Sequence, residues 1–162
     1  MSAETFYSNW STGTWEEKKS ALLARVDAAT AKGYKVGLVG ASAGAGAVIN
    51  ILAERQDVIV GSVLIAGKVN NPQAIGGSYR SKNAAFITSA NAAPVALESL
   101  TSETKQHILS RHAFIDEVVP RRCSYIPGGI NKTVPSIGHV LTIVSQLTLG
   151  APSFISFLKK LA

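Results

Sequence analysis

Cysteine is almost missing from this chain. Cys123 stands alone, so no internal disulfide can form, which fits a reducing compartment. Charge is also sparse, at 16% of residues, and acids are scarcer than bases, with 10 Asp and Glu against 16 Lys and Arg. The resulting net charge of +6 and a pI near 9.6 permit weak attraction to anionic surfaces. The bases are scattered, however, with pairs only at Lys18-Lys19, Arg121-Arg122 and Lys159-Lys160. Aromatics amount to only 7% and interleave with no basic helix, so nucleic acid is not an expected partner. No apolar run reaches the length of a membrane span. Met1 to Trp10 lacks the basic start and apolar core of a signal peptide, and a soluble, cytoplasmic protein is the default expectation. What remains is 46% hydrophobic over 162 residues, enough to build a core in a single domain over residues 1–162.

The richest stretch runs from Lys35 to Ile49. It opens with the short apolar run Val36 to Val39, of the kind a buried parallel strand shows, and an Ala-rich helical pattern follows to Arg55. Between them Gly40, Ser42 and Gly44 spell G-x-S-x-G. A strand turning sharply into a helix at a serine strains that serine's backbone, and side chains at Gly40 or Gly44 are expected to collide across the turn. The hydroxyl is then thrust out at a strand's carboxyl end, with the amino end of a helix behind it, where an oxyanion is stabilised. The same letters support two other readings. Gly40, Gly44 and Gly46 also spell the G-x-x-x-G-x-G loop with which short-chain dehydrogenases approach an NAD(P) pyrophosphate. Small residues can also simply pack a helix onto a sheet.

Along the chain, the aromatic run Thr5 to Trp10 suggests a short strand. Thr14-Trp15-Glu16-Glu17 spells a capping box, and Trp15, Leu22, Leu23, Val26 and Ala29 share one face of the helix it opens, which Gly33 ends. Val58 to Ala66 is a second strand. Gly67 to Lys82 forms a polar loop at that strand's carboxyl end, where open α/β sheets place ligands, and the stretch 67–83 is a candidate acyl pocket. Ala84 to Leu100 is expected to be helical with a break near Pro94, the Phe86-Ile87-Thr88 portion being compatible with an extended form. Thr101 caps a short turn, His107 to Ile115 is a third strand, and Pro120 to Tyr125 is a short helix. Asn131 to Val134 is a last short strand before a loop from Pro135 to His139. Val140 to Leu149 and Ser153 to Leu161 suit amphipathic helices parted by Gly150 and Pro152. Strands alternate with helices throughout, which predicts a three-layer α/β protein with a mainly parallel sheet of about five strands.

Cleavage of an ester by serine needs a base to take the hydroxyl proton, an acid to hold that base, and amide donors for the oxyanion. Ser42, Asp116 and His139 occur in this chain in that order, each where a strand-end loop would present it. Glu117 is the fallback acid, although sequence neighbours point apart on an extended segment. Three pieces, Gly40-Ala41-Ser42-Ala43-Gly44, Asp116-Glu117-Val118-Val119-Pro120 and Gly138-His139, resemble the α/β-hydrolases, serine esterases and lipases among them. The resemblance covers roughly residues 35 to 160 and matches the carboxyl-terminal two thirds of that fold. It implies Ser42 as nucleophile, His139 as general base and then acid, Asp116 as orienting carboxylate, and the Ala43 N–H as one oxyanion donor. The substrate implied is a small carboxylic ester or thioester, with no cofactor and no metal.

The other residues carry less. His107 and His112 lack partners at metal-ligand spacing and are expected as strand residues, and Cys123 as a small buried or half-buried one. The dehydrogenase reading needs Tyr-x-x-x-Lys, yet four places after Tyr79 stands Asn83, with Lys82 one short. A departure from the hydrolase pattern is equally plain. Only 34 residues precede Lys35, room for one strand and one helix, where the resemblance implies several strands and a loop donating a second oxyanion N–H. A shortened gene product, a minimal hydrolase and a non-catalytic interaction domain all fit that departure. A missing sheet edge would leave a strand unpaired, which a homodimer could cover.

Overall fold

The computed structural model describes residues 3–70 and 84–162. Helix α1 (Trp15–Ala31) begins where the capping box places it. The Thr14 hydroxyl accepts from the Glu17 N–H at 3.2 Å, and the Glu17 carboxylate accepts from the Thr14 N–H at 2.8 Å. Gly33, at φ +79°, turns the chain out of this helix and into the sheet. Thr5 to Trp10 forms no strand, contrary to expectation. The aromatic Trp10 instead stacks on Trp15 with centroids 6.2 Å apart and meets Phe86 edge-on at 6.0 Å, so it serves a cluster at the start of α1.

Four parallel strands, β1 (Val36–Ala41), β2 (Ile59–Ile65), β3 (Ile108–Ile115) and β4 (Ile130–Ile137), lie in sequence order across one sheet. Among the described residues the count is four rather than about five, the missing one being the Thr5–Trp10 segment. Helix α2 (Ala43–Glu54) follows β1, and α3 (Ala84–Ser99) and α4 (Ser102–Gln106) lie between β2 and β3. Helix α5 (Arg121–Ser124) precedes β4, and α6 (His139–Thr148) and α7 (Ala151–Leu161) follow it. Ile49, Leu52 and Ala93 from α2 and α3 bury one sheet face against Leu64 and Ile108, with Val26 of α1 joining them. Phe154 and Leu158 of α7 cover the other face at Val63, Ile65 and Leu109. Helix α7 lies close because Gly37 and Gly61 are bare: an added Cβ would stand 3.1 Å from Leu158 and 2.6 Å from Leu161.

Two boundaries differ from expectation. Helix α3 runs unbroken through Pro94, and Phe86 to Thr88 is helical. Burial of Ala85, Ala90, Ala93 and Leu97 holds the helix against the lost hydrogen bond. Strand β4 continues past Val134 through Pro135 to Ile137, where a loop was expected. It is an edge strand, and a proline is tolerated where its missing N–H would face away from the ladder. Among the described residues no single helix is long and apolar enough to cross a membrane; α6 and α7 together have the length and composition but are bent by 62°.

Candidate active site

Strand β1 ends at Ala41 and α2 starts at Ala43, leaving Ser42 alone to make the turn at φ 50°, ψ −118°. Such a backbone is costly for a residue with a Cβ. The Ser42 N–H donates to the Ile65 carbonyl at 2.9 Å, which ties the turn to the end of β2. Beside it Ala66 also has positive φ, 47°, and its N–H donates to Arg111 O at 2.8 Å. A Cβ on Gly40 would stand 2.5 Å from the Gly44 carbonyl oxygen and 2.8 Å from Val48. Gly44 itself faces open space, so the expected collision exists at Gly40 and not at Gly44. The contact is one-sided because the backbone of Gly44, not its missing side chain, presses on Gly40. Ala41 fills the sheet face toward α7.

Strand β3 delivers Asp116 to the same rim, and β4 delivers His139 through Gly138, whose φ of +98° lets the chain turn directly into α6. His139 Nε2 lies 2.9 Å from Ser42 Oγ, and His139 Nδ1 lies 2.9 Å from Asp116 Oδ2. His139 and Asp116 are both buried at the side chain. The second carboxylate oxygen of Asp116 accepts from the Val118 and Val119 N–H groups at 2.9 and 2.7 Å. Asp116 is therefore a turn residue and the imidazole's partner at once. With Nδ1–H donating to Asp116, Nε2 is free to accept from the Ser42 hydroxyl. Ala43, as first residue of α2, has an N–H with no acceptor inside its helix.

Glu117 is not a second acid for the ring. Its carboxylate accepts from the His139 backbone N–H at 3.1 and 3.2 Å, an anion at the amino end of α6. Thr142 Oγ1 donates to Gly138 O at 2.7 Å and pairs with Ser136 Oγ at 2.7 Å, fixing the same first turn. Farther along, the buried Arg111 of β3 donates to Gln146 Oε1 at 2.7 Å, Gly150 O at 3.3 Å and Ser153 Oγ at 2.6 Å. Burial among these neutral partners lowers its pKa. Neither the Glu117 clamp nor the Arg111 anchor was foreseen. No local signal marked the first, because Glu117 reaches a helix start 22 residues farther along the chain.

The remaining candidates are structural. His107 caps the end of α4, and His112 is buried in β3 with Nε2 2.9 Å from Thr133 Oγ1. Cys123 is buried. Of the loop Gly67 to Lys82, residues 71 onward lie outside the described residues, as do Tyr79 and Asn83. Gly67 packs so closely on Ala45 that a Cβ there would overlap it. Two clefts, of about 300 and 430 Å³, lie at the opposite end of the strands, lined by residues such as Tyr34, Lys35 and Ile59 and by Gln56, Thr101 and His107. Among the described residues no three of His, Cys, Asp and Glu converge as a metal site.

No protein-family model matches this chain, and no curated protein does. Solved structures do. A metagenome-derived lipolytic enzyme, from work on LipS and LipT, superposes with a TM-score of 0.69 at 14% identity, over 93% of this chain and 76% of that one. Est1E from Butyrivibrio proteoclasticus gives 0.67 at 18% identity over 92% and 71%. The monoacylglycerol lipase of Paleococcus ferrophilus gives 0.64 at 11% identity over 93% and 77%.

Proposed function

We propose that this chain, which has the α/β-hydrolase fold, is a serine hydrolase of small carboxylic esters or thioesters. The observation that carries the reading is the unbroken run of two 2.9 Å contacts from Ser42 through His139 to Asp116. It spans gaps of 97 and 23 residues, and nothing in simple helix packing requires it.

In this reading Ser42 is the nucleophile at the strand-to-helix elbow. As its oxygen attacks the acyl carbon, its proton passes to His139 Nε2, and Asp116 stabilises the imidazolium formed. The carbonyl electrons move to oxygen, met by the Ala43 N–H at the amino end of α2. Collapse of the tetrahedral species expels the alcohol or thiol, which takes the proton from His139, and leaves an acyl group on Ser42. Water then attacks that ester, giving its proton to His139, and the carboxylic acid departs as Ser42 recovers its proton. The His139 ring stands against Ser42 at the amino end of α2, where a pyrophosphate would have to approach, and this weighs against the dinucleotide alternative.

One oxyanion donor is in hand. A missing second donor costs on the order of 10²- to 10³-fold in rate, so turnover is expected to be slow without being abolished. A fluorophosphonate probe should label the wild type at Ser42, and p-nitrophenyl acetate should be hydrolysed. Both signals should vanish in Ser42→Ala, and hydrolysis should fall by about 10⁵-fold in His139→Ala. A folded wild type that neither takes the probe nor hydrolyses the ester would remove the enzyme reading and leave a non-catalytic interaction domain.

A further inference from the structure

Helix α6 is fastened at its start by polar contacts more than by packing. His139 and Thr142 are buried and Gln146 is held by Arg111, while Val140 and Leu141 face solvent. The residue that should cap this helix cannot. A position before a helix start ordinarily carries Ser, Thr, Asp or Asn, whose side chain accepts from the first free N–H groups. Gly138 stands there instead, at the φ of +98° that the turn requires, and it has no side chain to offer. The acceptor comes from another segment. Both carboxylate oxygens of Glu117 accept from the His139 N–H, at 3.1 and 3.2 Å.

Two neighbours in sequence therefore grip one residue at its two ends. Asp116 holds the ring at Nδ1, and Glu117 holds the main chain. The turn that carries both is locked by the Val118 and Val119 N–H groups on Asp116 Oδ1. Among the described residues no Lys or Arg pairs with Glu117, and α6 has no charged side chain besides His139. Of the elements packed on α6, β2 carries no charge and β3 brings Arg111, held toward the far end of the helix at Gln146. Lys132 lies near the start of β4, and Lys159 and Lys160 end α7, where Leu161 reaches Gly61 near the start of β2. The Glu117 charge thus stands unneutralised at the helix start. The proposed chemistry gives it work there. In both half-reactions a proton passes to Nε2, so a cation forms on the first residue of a helix, at the positive end of its dipole. The ring is joined to the nitrogen that Glu117 holds through Cα and Cβ alone, well inside the roughly 8 Å over which a charge is felt at physiological salt. A carboxylate at that point offsets the field of the helix and favours the imidazolium.

We propose that Glu117 is a positioning residue of this site, which holds the backbone of His139 and balances the charge its ring acquires during turnover. The inference rests on the hydrolase reading. Two substitutions separate its two parts. Glu117→Gln keeps an amide oxygen that can accept from the His139 N–H and removes only the charge, whereas Glu117→Ala removes both. At low salt Glu117→Gln should hydrolyse p-nitrophenyl acetate about 2- to 5-fold more slowly than wild type. The loss should fall on kcat with KM unchanged, because the substrate is neutral and both half-reactions pass through the imidazolium. Sodium chloride at about 1 M shortens the screening length to about 3 Å. Since Glu117 is exposed, the ratio of the wild-type rate to that of Glu117→Gln should then approach one. Glu117→Ala should be slower than Glu117→Gln at both salt concentrations, since salt does not replace the lost acceptor. Equal rates for Glu117→Gln and wild type at low salt, a ratio that salt leaves unchanged, or a Glu117→Ala as fast as Glu117→Gln would each overturn the proposal while leaving the hydrolase reading intact. A wild type silent toward both the ester and the fluorophosphonate probe would end that reading, and this inference with it.

Discussion

Ser42 combines the most strained backbone at the site with the hydroxyl on which the proposed chemistry depends. At φ 50° a Cβ costs roughly 1–3 kcal/mol, and β2 holds it there through the Ile65 carbonyl. Both Ser42→Ala and Ser42→Gly remove the hydroxyl, but only glycine removes the Cβ. Ser42→Gly should therefore be the more stable by about 1 kcal/mol after the extra freedom of its unfolded chain is counted, a rise of about 2–4 °C in melting temperature. Equal melting of the two variants would mean that the turn is relaxed in solution. His112 makes a separate prediction. Burial first, and the nearby Arg121 second, lower its pKa from the usual 6.5. Its folded form thus binds a proton less readily than its unfolded form. Its contribution to stability is full above about pH 6.5 and is lost as the pH falls below that value toward the depressed one. His112→Gln should flatten the decline of the urea midpoint between about pH 6.5 and 5, and a slope identical to wild type would contradict this.

The strand-to-helix turn and helix α6 are the elements on which the site hangs, and their glycines are not equivalent. Gly40→Ala would drive a methyl into the Gly44 carbonyl at 2.5 Å, a backbone contact that cannot relax locally, and should cost about 3 kcal/mol or more along with Ser42 labelling. Gly44→Ala meets nothing within 4 Å and should be neutral or stabilising by up to about 1 kcal/mol. Thermal unfolding of the two variants decides; a destabilised Gly44→Ala would break the argument. This asymmetry also marks how far the sequence was readable. Strand β1, the capping box of α1, the Thr101 cap and the order Ser42, Asp116, His139 were legible because each depends on local chemistry or on fixed motif spacing. Which glycine is crowded depends on where a carbonyl points, and that is tertiary. The same holds for Trp10, whose aromatic neighbourhood reads as a strand until α1 and α3 give it stacking partners. The amphipathic period of α6 was readable as well. Its sense was not, because periodicity tells how apolar residues are spaced and leaves open which side a buried arginine will hold.

The whole molecule carries an unresolved edge. Among the described residues β1 pairs with β2 alone. Since the Ser42 N–H reaches β2, alternation along a strand sends the N–H and C=O of Gly37, Val39 and Ala41 the other way. Natural sheets blunt such edges with prolines, lysines or bulges, yet Val36 to Ala41 contains no proline or charge, and Val39 is 42% exposed. We propose that a second copy pairs along β1, giving a continuous sheet across two chains and leaving the α6 faces free on the outer flanks. Val39→Pro separates the two roles of this strand: it deletes an N–H that makes no bond to β2 and blocks a partner from approaching. Light scattering at micromolar concentration should read a dimer for the wild type and a monomer for Val39→Pro, with the monomer's melting temperature independent of protein concentration. Two-fold pairing sets the partner's β1 antiparallel, so the segment that enters that strand lies beside Ala43, and a donor carried there would raise Ser42 reactivity by on the order of 10²-fold. Probe labelling that speeds up with wild-type concentration, and stays slow at every concentration of Val39→Pro, is the expected signature; a wild type monomeric throughout that range would leave the edge without a partner of its own kind.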